Sequence, residues 1–249
     1  MPDNSRASSI GWDVLRLGRE QHGFIVGENG FGKTELARRI IEDRFKKRSV
    51  VYDPKHSRNI SGWKDTGHVF FYSQDAIARN EWAKKRAARI IYRPPLSEID
   101  DVHAQDEIFR WVFERGGTRL YVDECSSLLG ESRPSRYFKF CLTQGRELGL
   151  SILCATQRPA SIPIITMSEA SKFYLFHLNM EEDKARMAKI TSISDAWQSE
   201  LNEFEFYFYD ARKGVLTWGG FNRRRLETGP YRDEDHERVN TPRKLKLTI

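Results

Sequence analysis

Residues 27–34 read GENGFGKT, a match to the pattern G-x-x-x-x-G-K-[ST]. The run before it, HGFIVG at 22–27, is apolar enough for a buried strand, and Leu36, Ala37, Ile40, Ile41 and Phe45 after it recur at helical spacing. A glycine-rich turn between a strand and a helix start is a narrow structural commitment. Its backbone N–H groups converge on one point, and the helix dipole adds positive potential there. Gly27, Gly30 and Gly32 give the loop its freedom, with Asn29 and Phe31 between them. Lys33 is placed to reach the β and γ phosphates of a nucleotide, and Thr34 to offer a hydroxyl to Mg²⁺. The same eight residues could form a turn that binds nothing, but the flanking strand and helix favour a site for ATP with Mg²⁺. Glu28, inside the loop, sits oddly beside a polyphosphate, and the sequence gives no account of it.

Further apolar runs at 49–53, 68–73, 89–93, 119–123, 150–155 and 172–177 read as strands covered on both faces. They alternate with helical patterns, among them Ile108, Phe109, Val112 and Phe113. Another stripe, Tyr137, Phe138, Cys141, Leu142 and Leu148, predicts a helix that starts after Pro134 and is stopped by Gly149 in a left-handed cap. The expected fold is α/β: a P-loop NTPase with a mainly parallel central sheet flanked by helices. The 249 residues suit one such unit. FEFYFYDARKGVLTWGGF, from residue 204, predicts two short strands around a Lys-Gly turn, a C-terminal hairpin at the sheet edge. Past Asn222 the chain turns charged, which divides it into a P-loop ATPase domain over 1–222 and a charged C-terminal tail over 223–249.

Composition limits the alternatives. Cys125, Cys141 and Cys154 lie in apolar contexts with no C-x-x-C spacing, so buried reduced thiols are expected rather than disulfides or a zinc site. No apolar run approaches the roughly 18 residues of a membrane span, so no membrane insertion is expected. The first residues, MPDNSRASSIGWD, lack the apolar core of a signal peptide, which points to the cytoplasm. A net charge of +6 permits a polyanionic partner without requiring one.

A P-loop needs a carboxylate strand beside it, and RLYVDE at 119–124 supplies one that ends in two acids. Asp123 is expected to hold Mg²⁺ through water, and Glu124 to orient or deprotonate the attacking water. In P-loop proteins with a glutamate at that place, one additional strand lies between the P-loop strand and the aspartate strand. LSILCA at 150–155 is expected to fill it. Its end then faces Lys33 and Glu124, which makes Gln157 a candidate contact to the γ-phosphate and the water, since an amide donates and accepts at once. Thr156 is the weaker candidate, and a loop without chemistry is the alternative for both.

The order GENGFGKT, YVDE, GRELGLSILCATQRPASIP and DKARMAKI, spanning about residues 20–210, resembles the FtsK–HerA superfamily of DNA-translocating ATPases. Its most specific part is the GRELGLSILCATQRP block. The resemblance implies that Gln157 senses the γ-phosphate and that Arg146 acts as an arginine finger toward the neighbouring subunit's nucleotide. Arg158 is the runner-up, and an Arg146 that merely favours its own helix C-terminus remains open. Only about 20 residues precede the first strand, where cellular members carry a membrane region, a barrel or a DNA-reading domain, and no nuclease domain is present. That form resembles the minimal viral genome-packaging ATPases. It implies a homo-oligomeric ring, pentamer or hexamer, that moves double-stranded DNA into a procapsid. The partner would be a portal or capsid vertex protein, met in the host cytoplasm. A HerA or conjugation-type cellular translocase, a filamentous-phage assembly ATPase and a slow nucleotide switch are the competing readings. Candidate DNA contacts are Lys55, Arg58 and Lys64, or Arg133, Arg136 and Lys139. Arg223, Arg224 and Arg225, with Arg243, Lys244 and Lys246, could serve DNA, a capsid protein or nothing.

Overall fold

The apolar runs all become strands of one sheet. The computed structural model describes residues 15–41, 48–63, 67–85, 87–129, 135–193, 201–221 and 226–230. In chain order the strands are β1 (His22–Val26), β2 (Arg48–Tyr52), β3 (Val69–Phe71), β4 (Arg89–Tyr92), β5 (Thr118–Val122), β6 (Ser151–Thr156), β7 (Lys172–Leu175), β8 (Glu205–Asp210), β9 (Val215–Phe221) and β10 (Leu226–Pro230). The helices among them are α1 (Lys33–Ile41), α2 (Arg58–Ser61), α3 (Gln74–Arg79), α4 (Val102–Arg115), α5 (Ser126–Leu129), α6 (Arg136–Gln144), α7 (Ile164–Met167) and α8 (Glu181–Thr191).

Across the sheet the order is β10-β9-β8-β7-β1-β6-β5-β2-β4-β3. From β7 to β3 every pairing is parallel, and β8, β9 and β10 add an antiparallel wing. As expected, β6 lies between β1 and β5, with Phe24 opposite Cys154 and Leu120 opposite Ile152. The carboxyl ends of β1, β6, β5 and β2 therefore share one edge, where ligands of open parallel sheets sit.

Side chains alternate strictly across this sheet, which produces two cores. Phe24, Val50, Leu120, Ile152 and Cys154 face one layer with Ile108, Phe109 and Val112 of α4 and Phe138, Cys141 and Leu142 of α6. Ile25, Val51, Tyr121 and Leu153 face the other with Leu36, Ala37 and Ile40 of α1. Asp101 caps α4 by accepting from the His103 and Ala104 N–H groups. All three cysteines are buried. No described helix is long and apolar enough to cross a membrane.

Two expectations need correction. The helix expected to run to Gly149 ends at Gln144, one turn early. A Cβ on Gly145 would lie 2.1 Å from the Cys141 carbonyl oxygen and 2.7 Å from the Leu150 side chain, because the chain folds tightly back there to enter β6. Leu148 leaves the apolar stripe and is exposed, while Gly149 does take the left-handed conformation, at φ +72°. At the other end, the expected hairpin of β8 and β9 continues into β10, so the sheet runs past residue 222 into the span read as tail.

Candidate active site

The glycine loop closes over the carboxyl end of β1 and is tied down on both sides. The Gly27 N–H donates to the Thr156 carbonyl (3.2 Å) and the Glu28 N–H to the His177 carbonyl (3.0 Å). Gly32 has φ +103°, and a Cβ there would stand 2.6 Å from the Phe204 ring and 2.9 Å from that of Phe221. Phe204 in turn donates its N–H to the Phe31 carbonyl (3.0 Å), and the Phe31 ring stacks on His177 at 5.0 Å. The antiparallel wing thus braces the loop, a contact for which the sequence carries no signal.

Lys33 is 9% exposed and donates to the Glu28 carbonyl at 2.6 Å. Burial pulls its ammonium down to about 8, helped by the positive charge of Lys55, against the pull of Glu124, Asp123 and Glu28. A polyphosphate in this cleft would add to the counter-charge that Glu124, Asp123 and Glu28 already provide. Glu28, unexplained in the sequence, contributes its backbone at both ends, while its side chain lines a smaller cleft of about 280 Å³ shared with Gln157, Arg158 and Asp183.

The main cleft, about 580 Å³, is lined by Asn29, Gly30, Gly32, Lys33, Thr34, Lys55, Asp123, Glu124 and Gln157, with Phe204 and Trp63 at its margins. It therefore gathers residues from three separate motifs, while Gly27 and Phe31 of the loop do not line it. Arg146 is not among them. It lies in the turn before β6, at the opposite edge of the sheet, about 20 Å of strand away from Gln157. There it donates to the Glu169 carbonyl and carboxylate, the latter at 3.2 Å. Arg158 is also engaged within the chain, at 3.0 Å from Asp183 on α8.

Glu124 follows β5 in a left-handed conformation, φ +57°, uncommon for a residue with a side chain and costing about 1 kcal/mol or more. One carboxylate oxygen accepts from the Ser126 hydroxyl (2.6 Å), the Thr156 hydroxyl (3.0 Å) and, more distantly, the Gln157 N–H (3.4 Å). The other accepts from Lys55 Nζ at 3.0 Å. Burial pushes this carboxyl up, but the bonds from Ser126, Lys55 and Thr156 outweigh it and hold the group below its ordinary value. These bonds favour the carboxylate form of Glu124 and fix its orientation beside the cleft.

Thr156, the weaker sequence candidate for a contact to phosphate or water, is one of the side chains that hold Glu124. Strand alternation carries the signal: Thr156 shares the side of β6 occupied by Ile152 and Cys154, and its register partner is Val26 at the loop's entry. Lys55, one of the candidate DNA contacts, lines this cleft.

The loop that carries Lys55 is built with care. Asp53 is fully buried and pairs with Arg93 at 2.8 Å; its second oxygen accepts the Ser57 N–H at 3.0 Å. Arg93 also donates to the Ser57 carbonyl (2.8 Å) and the Ser61 hydroxyl (3.0 Å). Arg93→Ala leaves Asp53 buried without its cation and is expected to cost about 3–5 kcal/mol, measurable as a lower urea midpoint; an unchanged midpoint would show that the pair does not hold the loop.

Asp123 accepts from the Tyr121 hydroxyl at 2.8 Å, and that hydroxyl also meets Thr34. Burial raises the Asp123 carboxyl; Tyr121 and Lys55 oppose this, while Asp53 and Glu124 add to it. A buried acid among other acids, next to a hydroxyl, fits a hard dication. No three His, Cys, Asp or Glu side chains among the described residues cluster for a metal, so the remaining ligands would come from nucleotide and water, the usual habit of Mg²⁺.

Of the candidate DNA contacts, Lys55, Arg58, Arg136 and Lys139 are exposed. Lys64, Arg133, Arg223, Arg224, Arg225, Arg243, Lys244 and Lys246 lie outside the described residues.

No protein-family model matches the chain. Over 164 residues it is 26% identical to the DNA packaging ATPase P9 of Enterobacteria phage PRD1, a match covering 64% of this chain and 65% of that protein's length. The genome packaging NTPase B204 of Sulfolobus turreted icosahedral virus 2, solved with ATPγS, superposes with a TM-score of 0.64 at 16% identity, over 86% of this chain and 98% of B204. VirB4 of Thermoanaerobacter pseudethanolicus gives 0.62 at 11% identity, over 96% and 99%. With β6 inserted between β1 and β5 and the glycine loop on β1, the chain has the P-loop NTPase fold that these two proteins share.

Proposed function

We propose that this chain is the subunit of a homo-oligomeric, ATP-hydrolysing motor that drives double-stranded DNA into a viral procapsid. The observation that carries hydrolysis is the Glu124 carboxylate, ionised, held by Ser126, Thr156 and Lys55, and facing the same cleft as Lys33. A protein that only binds nucleotide has no use for so well-held a base. DNA as cargo rests on the sequence similarity to the PRD1 packaging ATPase, whose matched length is about two thirds of that protein.

In this reading Lys33 and the loop N–H groups grip the β and γ phosphates. Thr34 and Asp123 would hold Mg²⁺, which when bound neutralises phosphate charge. Glu124 takes a proton from the attacking water, and the Gln157 amide spans that water and the γ-phosphate. Arg146, too far from its own cleft, is assigned to the neighbouring subunit's nucleotide. Arg58, Arg136 and Lys139 are the described candidates for sequence-independent contact with the DNA backbone. A portal or capsid vertex protein would seat the ring.

Steady-state ATPase assays with and without duplex DNA, over a range of protein concentration, test the motor. Stimulation by DNA, weakening as salt rises, and a steep dependence on protein concentration are expected. Equal rates under every condition would remove the motor and leave an ordinary ATPase.

A further inference from the structure

Lys55 reaches Glu124 from β2, whose carboxyl end lies next to that of β5. Its loop is fixed from three directions. Asp53 and Arg93 lock the backbone through Ser57, and His56, at φ +50°, hydrogen-bonds the Pro94 carbonyl at 2.9 Å. A buried ion pair and a strained residue on either side of one lysine are a large structural investment for a surface charge. The lysine itself is far less constrained: its side chain is 49% exposed, whereas that of Glu124 is 13% exposed. With its side chain half in solvent, the lysine can leave the pair at little desolvation cost.

In the cleft, the ammonium groups of Lys33 and Lys55 face the carboxylates of Asp123 and Glu124. With Arg38 and Glu35 also lining the cleft, its cations and anions are matched in number. A triphosphate brings further negative charge, concentrated at its terminal group, and that group competes with Glu124 for the mobile cation. We propose that Lys55 is the residue by which this site tells a triphosphate from a diphosphate: it pairs with Glu124, moves to the γ-phosphate when ATP binds, and so frees the carboxylate to orient water. The proposal deepens the hydrolytic reading above and rests on Glu124 being the base. It gives the site an order of events: the base is held away from water until the phosphate to be cleaved has arrived.

Binding of ATPγS and of ADP, each with Mg²⁺, measured by calorimetry on the full chain, tests this without turnover. Lys55→Ala is expected to weaken ATPγS about tenfold or more, as for loss of a charge-assisted bond, while ADP stays within about twofold. Lys55→Arg should restore most of the difference. Glu124→Gln, which releases the lysine, should tighten ATPγS relative to ADP, and the gain should vanish in the double variant Glu124→Gln, Lys55→Ala. A Lys55 that only supports the fold would change both ligands equally or lower the unfolding temperature with no change in their ratio. Either result, or a Glu124→Gln gain that persists without Lys55, overturns the proposal. Absence of DNA stimulation would sink the motor and leave these ratios untouched. Normal turnover by Glu124→Gln would sink the base assignment, while the ratios still decide where Lys55 goes.

Discussion

Glu124→Gln is expected to lower ATP turnover by about 10²–10⁴-fold, the range for loss of a positioned general base, while the protein still binds ATP. The amide can keep a bond from Ser126 or Thr156, both of which donate to the carboxylate at 3.0 Å or less. It loses the proton affinity that makes a base and the charge that holds Lys55. Single-turnover hydrolysis beside equilibrium nucleotide binding separates the two effects. A variant that hydrolyses within a few-fold of wild type would transfer the role of base elsewhere; one that fails to bind would show that the carboxylate supports the site's shape. The left-handed backbone at Glu124 makes the Gln substitution preferable to Ala, because it keeps the hydrogen bonds that hold the strained residue.

Arg146→Ala is expected to bind ATP normally and lose about 10³–10⁵-fold in turnover, the magnitude of an arginine finger. In the proposed motor this role would have to be played in trans. Since Arg146 precedes β6 and the cleft lies past its end, the guanidinium cannot serve the nucleotide of its own chain. Mixing Arg146→Ala with Lys33→Ala subunits is therefore the deciding measurement. Lys33→Ala subunits lend an intact finger to Arg146→Ala subunits with an intact loop, and partial recovery of activity follows. Arg146 now rests on Glu169 and is 36% exposed. If that tie is its whole purpose, the mixture recovers nothing, and Arg146→Ala unfolds earlier instead.

The strands and the phosphate loop were legible because their signals are local: apolar runs, strict alternation, and a motif that needs a strand before it and a helix after. Even the place of β6 could be anticipated, from the glutamate that follows Asp123. Lys55 could not. It meets Glu124 across 69 residues of chain only because β2 pairs with β5, and no residue in either strand announces its neighbour. The same holds for Phe204, whose ring reaches Gly32 from the wing, and for the early end of α6, set by the packing of Gly145 under Leu150. The bond from Thr156 to Glu124 was legible only through strand alternation, which fixes the side of β6 that Thr156 occupies.

The packing of Phe204 and Phe221 against Gly32 has a practical result for anyone who would recombine such proteins. The space beside this glycine is occupied by two aromatic rings from the far end of the chain, so the loop and the wing form a matched pair. A chimera that grafts the parallel half onto another protein's C-terminal strands would inherit a glycine loop with nothing, or the wrong thing, behind it. The natural unit of exchange runs from β1 through β10, and a cut after β7 would divide one mechanical part in two.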